Sequence, residues 1–169
     1  CLMYAATSTR PDIAFAVQYL CRCLHRPTPE LIAEADHVIA YLARHPTAGL
    51  TYTRGDTRLR GFADASWETA ASTSGWTVLW HGAAIHWGSR KQKCIALSTC
   101  EAEIIALSEG AKDMVYLRKL VSGVGAAESG PSSLATDSQS ARDVSYNPQH
   151  HDRMKHVQRR HFFVRDMVE

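Results

Sequence analysis

The chain has 169 residues and a formal net charge of +2 with histidine neutral. That length holds one domain, or one domain with an appendage, and so nearly balanced a charge singles out no class of partner; the placement of charges has to carry that information. The five cysteines are odd in number and form no CxxC pair, no signal peptide is visible and no apolar run is long enough to cross a bilayer, so reduced thiols in an intracellular protein without a membrane partner are expected.

The first predicted helix opens at Arg10-Pro11-Asp12, with proline and an acid where a first turn favours them. Ile13, Val17, Leu20, Cys21 and Leu24 recur at helical spacing until Pro27-Thr28-Pro29. A second helix starts there, with Thr28 as N-cap and Leu31, Ala35, Val38, Ile39 and Leu42 as its stripe, and stops at His45-Pro46. The pair reads as an αα-hairpin without convergent chemistry. A short strand is expected over Gly49-Leu50-Thr51-Tyr52-Thr53, and a domain boundary near Gly55-Asp56-Thr57, dividing the chain into 1–55 and 56–169. A strand over Leu59 to Trp67 follows, then two β-rich runs, Gly75 to Trp80 and Ala83 to Trp87, joined by His81-Gly82. Together they make an antiparallel meander. Ser98-Thr99-Cys100-Glu101 fits a capping box before a long helix to about Val121. A short strand then ends at Asp137, a short helix runs from Ser138 to Ser145, a polar loop spans Asn147 to Lys155, and a last helix begins near Gln158. The chain begins at Cys1 and ends within that helical pattern, so it reads as a fragment of a longer polypeptide.

Three carboxylates stand out. Alternation puts Leu59, Ala63, Ala65 and Trp67 on one face of the first strand and Arg60, Phe62, Asp64 and Ser66 on the other. A carboxylate in mid-strand is disfavoured unless it is exposed or partnered. The long helix acts as a crossover, which lets the Leu134 strand lie parallel to the first and brings Asp137 beside Asp64, with Glu101 at the start of the covering helix. Three such groups around one point repel one another, and a divalent cation with a preference for hard oxygen relieves the repulsion. Each also has an ordinary role open to it: Asp64 in solvent, Glu101 closing the capping box, Asp137 capping the next helix.

Six segments come in order: Gly61 to Trp67, Ser72 to Gly75, Ile85 to Gln92, Ala96 to Glu103, Thr136 to Ala141 and Lys155-His156-Val157. Together they resemble the ribonuclease H domain of copia-type LTR retrotransposon polyproteins. Tyr4-Ala5 through Leu50 is similar to the segment that joins that family's reverse transcriptase to its ribonuclease H. The resemblance implies an α/β fold of ribonuclease H-like type, a mixed five-stranded sheet flanked by helices and preceded by the two-helix hairpin. It implies cleavage of the RNA strand of RNA–DNA hybrids with two Mg²⁺ or Mn²⁺ ions. It also implies the reverse transcriptase of the same polyprotein as partner, and a cytoplasmic virus-like particle as location.

The family's acidic set maps onto Asp64, Glu101 and Asp137. Glu103 is the rival for the second place, but two residues on it points away from Glu101 on a helix. The fourth acidic position holds Gln158, a neutral ligand, so weakened metal binding is expected there. Neither Asp152 nor Asp166 replaces it. His151 stands where ribonucleases H often carry a histidine that assists product release. Arg90, Lys91, Lys93, Arg153 and Lys155 are expected to meet phosphates, and Gln139, Ser140 and Asn147 the RNA minor groove. Gln158 also keeps open a second reading, a non-catalytic nucleic-acid-binding remnant.

Overall fold

The computed structural model describes residues 1–55, 57–68, 71–126, 130–146 and 163–167. In chain order its helices are α1 (Leu2–Ser8), a 3-10 turn (Pro11–Ile13), α2 (Ala14–Arg22), α3 (Pro29–Arg44), α4 (Thr99–Gly123) and α5 (Gln139–Tyr146). The strands are β1 (Arg60–Ser66), β2 (Thr73–Trp80), β3 (Ala83–Lys91) and β4 (Ser133–Ala135). Residues 163–167 are helical as well.

Local signals set most of these boundaries. Thr28 Oγ1 accepts the Leu31 N–H at 3.4 Å and Pro29 stands in the first turn of α3. Ser98 Oγ accepts the Glu101 N–H at 3.1 Å and opens α4. His81 and Gly82 take φ of 53° and 82°, the left-handed pair that matches a two-residue hairpin to the twist of its strands. The N-terminal part is richer than a hairpin, because α1 precedes it and the first expected helix begins as a 3-10 turn. Arg10 holds this corner. Its guanidinium pairs with Asp12 at 2.7 Å and donates to the His45 carbonyl at 3.0 Å, while Tyr41 donates to Asp12 at 2.9 Å.

The sheet order is β3-β2-β1-β4. β1 pairs antiparallel with β2, Asp64 opposite Gly75, and β2 with β3, Thr77 opposite Trp87. After the α4 crossover, β4 returns parallel to β1, from Arg60 opposite Ser133 to Phe62 opposite Ala135. The expected mixed α/β architecture is present with four strands among the described residues, not five. The expected strand at Gly49 to Thr53 is not one: its contacts are single bonds, Thr53 N–H to the His81 carbonyl at 2.9 Å and Tyr52 Oη to the Ala84 carbonyl at 2.8 Å. Single bonds to a hairpin corner build no ladder.

Alternation in β1 divides the sheet. Gly61 and Ala63 are buried under α4, while Arg60, Phe62, Asp64 and Ser66 are exposed on the other face. α4 comes close enough that a Cβ at Gly61 would lie 2.6 Å from Met114 Cε and 2.7 Å from Leu134 Cδ1. Leu59, Val78, Met114, Leu117 and Val121 fill one end of this core; Ala63, Trp76, Ile104, Leu107, Ala141 and Val164 fill the other. On the sheet's outer face the N-terminal helices reach β2 and β3. Trp87 Nε1 donates to the Ala6 carbonyl at 2.6 Å and Arg22 Nη2 to Thr73 Oγ1 at 3.1 Å.

Only Ala6, Ile13, Val17 and Val38 form the buried centre of those helices, too little apolar volume for an independent core. Residues 1–55 expressed alone are therefore expected to melt without a cooperative transition, whereas the full chain shows one. Circular dichroism against temperature on the two chains checks this, and a sigmoidal melt from 1–55 contradicts it.

Candidate active site

β4 pairs with β1 no further than Phe62. Beyond that point no described strand pairs with this edge of β1, and the described groups beside it are acidic. Asp64 is the next outward-facing residue of β1, Asp137 follows the end of β4, and Glu103 comes from the first turns of α4. One carboxylate oxygen from each of the three lies within 4.8 Å of the others. Asp64 and Asp137 are exposed and Glu103 is buried. This is the crevice at the carboxyl ends of parallel strands where α/β folds place their sites.

Burial and the charges of Asp64 and Asp137 push the Glu103 carboxyl up to about 7. Thr136 Oγ1 contacts Glu103 Oε2 at 3.5 Å, and the Ala65 N–H donates to Asp64 Oδ1 at 2.8 Å. Three close carboxylates with so few donors among them are short of positive charge. Among the described residues the cluster offers hard oxygens and no imidazole or thiolate, a set that fits Mg²⁺ or Mn²⁺ and not Zn²⁺.

Of the three carboxylates expected to converge, Asp64 and Asp137 meet, and Glu103 stands in the place expected for Glu101. Glu101 does not face the cluster. Its Oε2 accepts the Leu97 N–H at 2.7 Å, while its own N–H is capped by Ser98. The residue is consumed by the cap, and Glu103, two positions on, is turned toward Asp64. The Ser98-x-x-Glu101 spacing was the available signal, because a capping box uses the carboxylate of its fourth residue. Asp137 is spared the equivalent role: Ser138 Oγ accepts the Ala141 N–H at 3.2 Å and caps α5.

The expected nucleic-acid contacts divide. Gln139 and Ser140 are exposed at the start of α5, directly after Asp137, and Lys91 and Lys93 are exposed at the end of β3 and just past it. Arg90 is turned away. It lies with Ser74 and Trp76 on the α4 side of the sheet, its guanidinium 5.5 Å from the Trp76 ring centre, so strand alternation removes it from the face that carries Asp64. Gln158, His151, Asn147, Arg153 and Lys155 lie outside the described residues.

No family model matches the chain. Among curated proteins it is 37% identical over 99% of its length to the retrovirus-related Pol polyprotein from transposon TNT 1-94 of Nicotiana tabacum. It is 32% identical over 95% of its length to the corresponding polyprotein from transposon RE1 of Arabidopsis thaliana. The chain belongs to the Pol polyproteins of copia-type transposons. It spans 13% and 11% of the length of those two polyproteins. It is also 39% identical, over 69% of its length and 85% of the other, to secreted RxLR effector protein 161 of Plasmopara viticola. The N-terminal RNase H domain of Rv2228c from Mycobacterium tuberculosis aligns with a TM-score of 0.48 and 13% identity, over 67% of this Pol segment and 75% of that chain.

The raised Glu103 carboxyl ties stability to pH. The folded state holds this proton up to about pH 7, whereas the unfolded chain releases it near the ordinary 4.5. The folded state therefore binds more protons between those values, and stability falls as pH rises through that window, by roughly 2–3 kcal/mol. The metal-free Pol segment should melt at lower temperature at pH 7.5 than at pH 5. Mn²⁺ should restore the midpoint at pH 7.5 and change it little at pH 5, and Glu103→Gln should flatten both responses. Thermal melts in EDTA and in MnCl₂ at the two pH values measure this.

Proposed function

We propose that this Pol segment is the ribonuclease H of its polyprotein, a metal-dependent endonuclease that cleaves the RNA strand of RNA–DNA hybrids during reverse transcription. The observation that carries the reading is the meeting of Asp64, Glu103 and Asp137 within 4.8 Å, on a chain that aligns along nearly its whole length with transposon Pol polyproteins. The same reading makes residues 1–55 the end of the reverse transcriptase or its connection, and 56–169 the nuclease. It makes the reverse transcriptase portion of the same polyprotein the partner, inside a virus-like particle. Among the described residues no helix is long and apolar enough to cross a membrane.

Asp64, Glu103 and Asp137 would hold the ions, with Asp64, on the strand between the other two elements, the central member. Two Mg²⁺ or Mn²⁺ ions, when bound, stabilise the attacking and leaving oxygens of an in-line phosphodiester displacement. Glu103 has to lose its proton for this, so its tendency to stay protonated near neutral pH couples ion binding to proton release. Asp64 and Asp137 are exposed, on the side from which substrate would approach, and buried Glu103 would complete the ligand set. Lys91 and Lys93 meet hybrid phosphates, with Gln139 and Ser140 toward the RNA minor groove. Arg153, Lys155 and Asn147 extend that contact and His151 assists product release. Gln158 at the fourth position brings no charge, so the second ion binds weakly. That feature favours a second reading, a nucleic-acid-binding remnant that no longer cleaves.

Hydrolysis of a labelled hybrid separates the two. The parent chain is expected to cleave the RNA strand, faster in Mn²⁺ than in Mg²⁺, and Gln158→Asp to lower the metal concentration for half-maximal rate. Asp64→Asn and Glu103→Gln should each lower the rate by about a hundredfold or more, the scale of removing a group that stabilises a transition state. Glu101→Gln should keep most activity and lose about 1 kcal/mol of stability, the scale of a helix cap. Loss of cleavage in Glu101→Gln together with full activity in Glu103→Gln would reverse the assignment. No cleavage by the parent in either metal would favour the remnant.

Binding offers a second check. Substituting Lys91 and Lys93 by alanine should weaken hybrid affinity and make it less steeply dependent on salt. Titrations at several KCl concentrations give the slope, and an unchanged slope excludes both lysines.

A further inference from the structure

The acidic cluster does not stand alone on its face of the sheet. Asp64 and Asp137 form one end of a groove of about 900 Å³ between the 3-10 turn and α2 on one side and the outer face of β1, β2 and β3 on the other. Phe15 from α2, Phe62 from β1 and Trp87 from β3 line it, with the hydroxyls of Thr73 and Thr77 between them. Phe15 is 57% exposed and Phe62 41%, a high exposure for two rings sharing one groove. Trp87 is anchored through its Nε1 to Ala6, which leaves ring surface for the groove.

Cations stand at the rim of the groove, beside Thr73. Arg22 donates to Thr73 Oγ1 at 3.1 Å and to Gln18 at 2.7 Å, and its Nε is buried without a partner among the described atoms. Exposed Lys91 is the strand partner of Thr73. Asp12 also lines the groove, but its carboxylate is taken up by Arg10 and Tyr41. Thr73 lies two residues from Gly75, which pairs with Asp64, so the cations stand about 7 Å along the sheet from the acidic row, on the side away from Phe62 and Trp87.

Aromatic surfaces that accept any base, hydroxyls between them and a cation for the backbone are the chemistry of a single-strand platform. We propose that this groove holds an unpaired polynucleotide strand that continues from the scissile site, with Phe15 and Phe62 against its bases and Arg22 and Lys91 on its phosphates. The inference rests on the nuclease reading for its direction and deepens it. It gives the N-terminal helices a part in substrate binding beyond covering the sheet. Continuity with the acidic cluster and the cations beside Thr73 select a polynucleotide over an apolar peptide.

The test measures fluorescence anisotropy of hybrids bound by the full 169-residue chain in EDTA. One hybrid is blunt, one carries a short unpaired RNA tail and one a DNA tail of the same length. A tail is expected to raise affinity about fivefold or more over the blunt hybrid, the scale of stacking one or two bases. Phe15→Ala and Arg22→Gln should each bring that ratio to about one, while Arg22→Lys, which keeps the charge, should retain part of it. A gain confined to one tail identifies the strand as RNA or DNA. Thermal midpoints control for folding, and if Arg22→Gln melts early, Phe15→Ala, at an exposed position, decides. A parent that binds tailed and blunt hybrids alike overturns the groove, as does a ratio that survives Phe15→Ala at the parent melting temperature. A tail-dependent gain without hydrolysis in Mn²⁺ upholds the groove and overturns the nuclease. Hydrolysis without a tail-dependent gain does the reverse.

Discussion

The close approach of α4 to β1 is the constraint on which the rest depends. Small residues make it possible. Gly110 passes so near the sheet that a Cβ there would lie 3.5 Å from Ala63 Cβ and 3.4 Å from Leu134 Cδ1, and Gly61 leaves room for Met114. A Cβ at Gly61 would have to displace the ends of the Met114 and Leu134 side chains, whereas one at Gly110 would make ordinary contact with the sheet. The contact also supplies the free energy that holds three carboxylates together. Their repulsion amounts to a few kcal/mol, while Ile104, Leu107, Met114 and Leu117 are buried in the same interface, each contributing on the order of 1.5–3 kcal/mol. The apolar contact sets the geometry, and the carboxylates accept an unfavourable arrangement that a cation relieves.

Which acidic residues are available to such a site is decided by what local structure leaves over. Near the start of α4 stand two glutamates. One satisfies an unpaired amide at the helix entrance, and the other, nearly opposite around the helix, meets the sheet edge. Near the start of α5, Ser138 caps the helix and leaves Asp137 its charge. Asp64 pairs with Gly75 on one side and, among the described residues, has no strand partner on the β4 side, because β4 stops after three residue pairs. Each member of the cluster is a residue whose local alternative is either filled by a neighbour or absent.

The N-terminal helices have a small core and bind the sheet through a few directional contacts, Trp87 to Ala6 and Arg22 to Thr73 among them. They leave Asp64 and Asp137 exposed at the acidic end of the sheet. The aromatic groove lies where these helices stand off the strands, so its shape depends on how they dock.

Much of this was legible from residues alone. Thr28, Ser98 and His81-Gly82 marked their caps and turn because each acts on hydrogen bonds a few residues away, and period-two alternation in β1 placed Asp64 on the face opposite Ala63. The parallel return of the Leu134 strand followed from a helix too long for a hairpin, and it brought Asp137 beside Asp64. The choice of Glu103 over Glu101 was not decided there. Both face usable directions on a helix, and only the position of the sheet edge says which direction holds the other charges. The face of Arg90 and the reach of Arg22 and Phe15 to β2 likewise waited on tertiary structure. Sequence determined what each segment does with its own backbone; packing between distant segments determined which side chains meet.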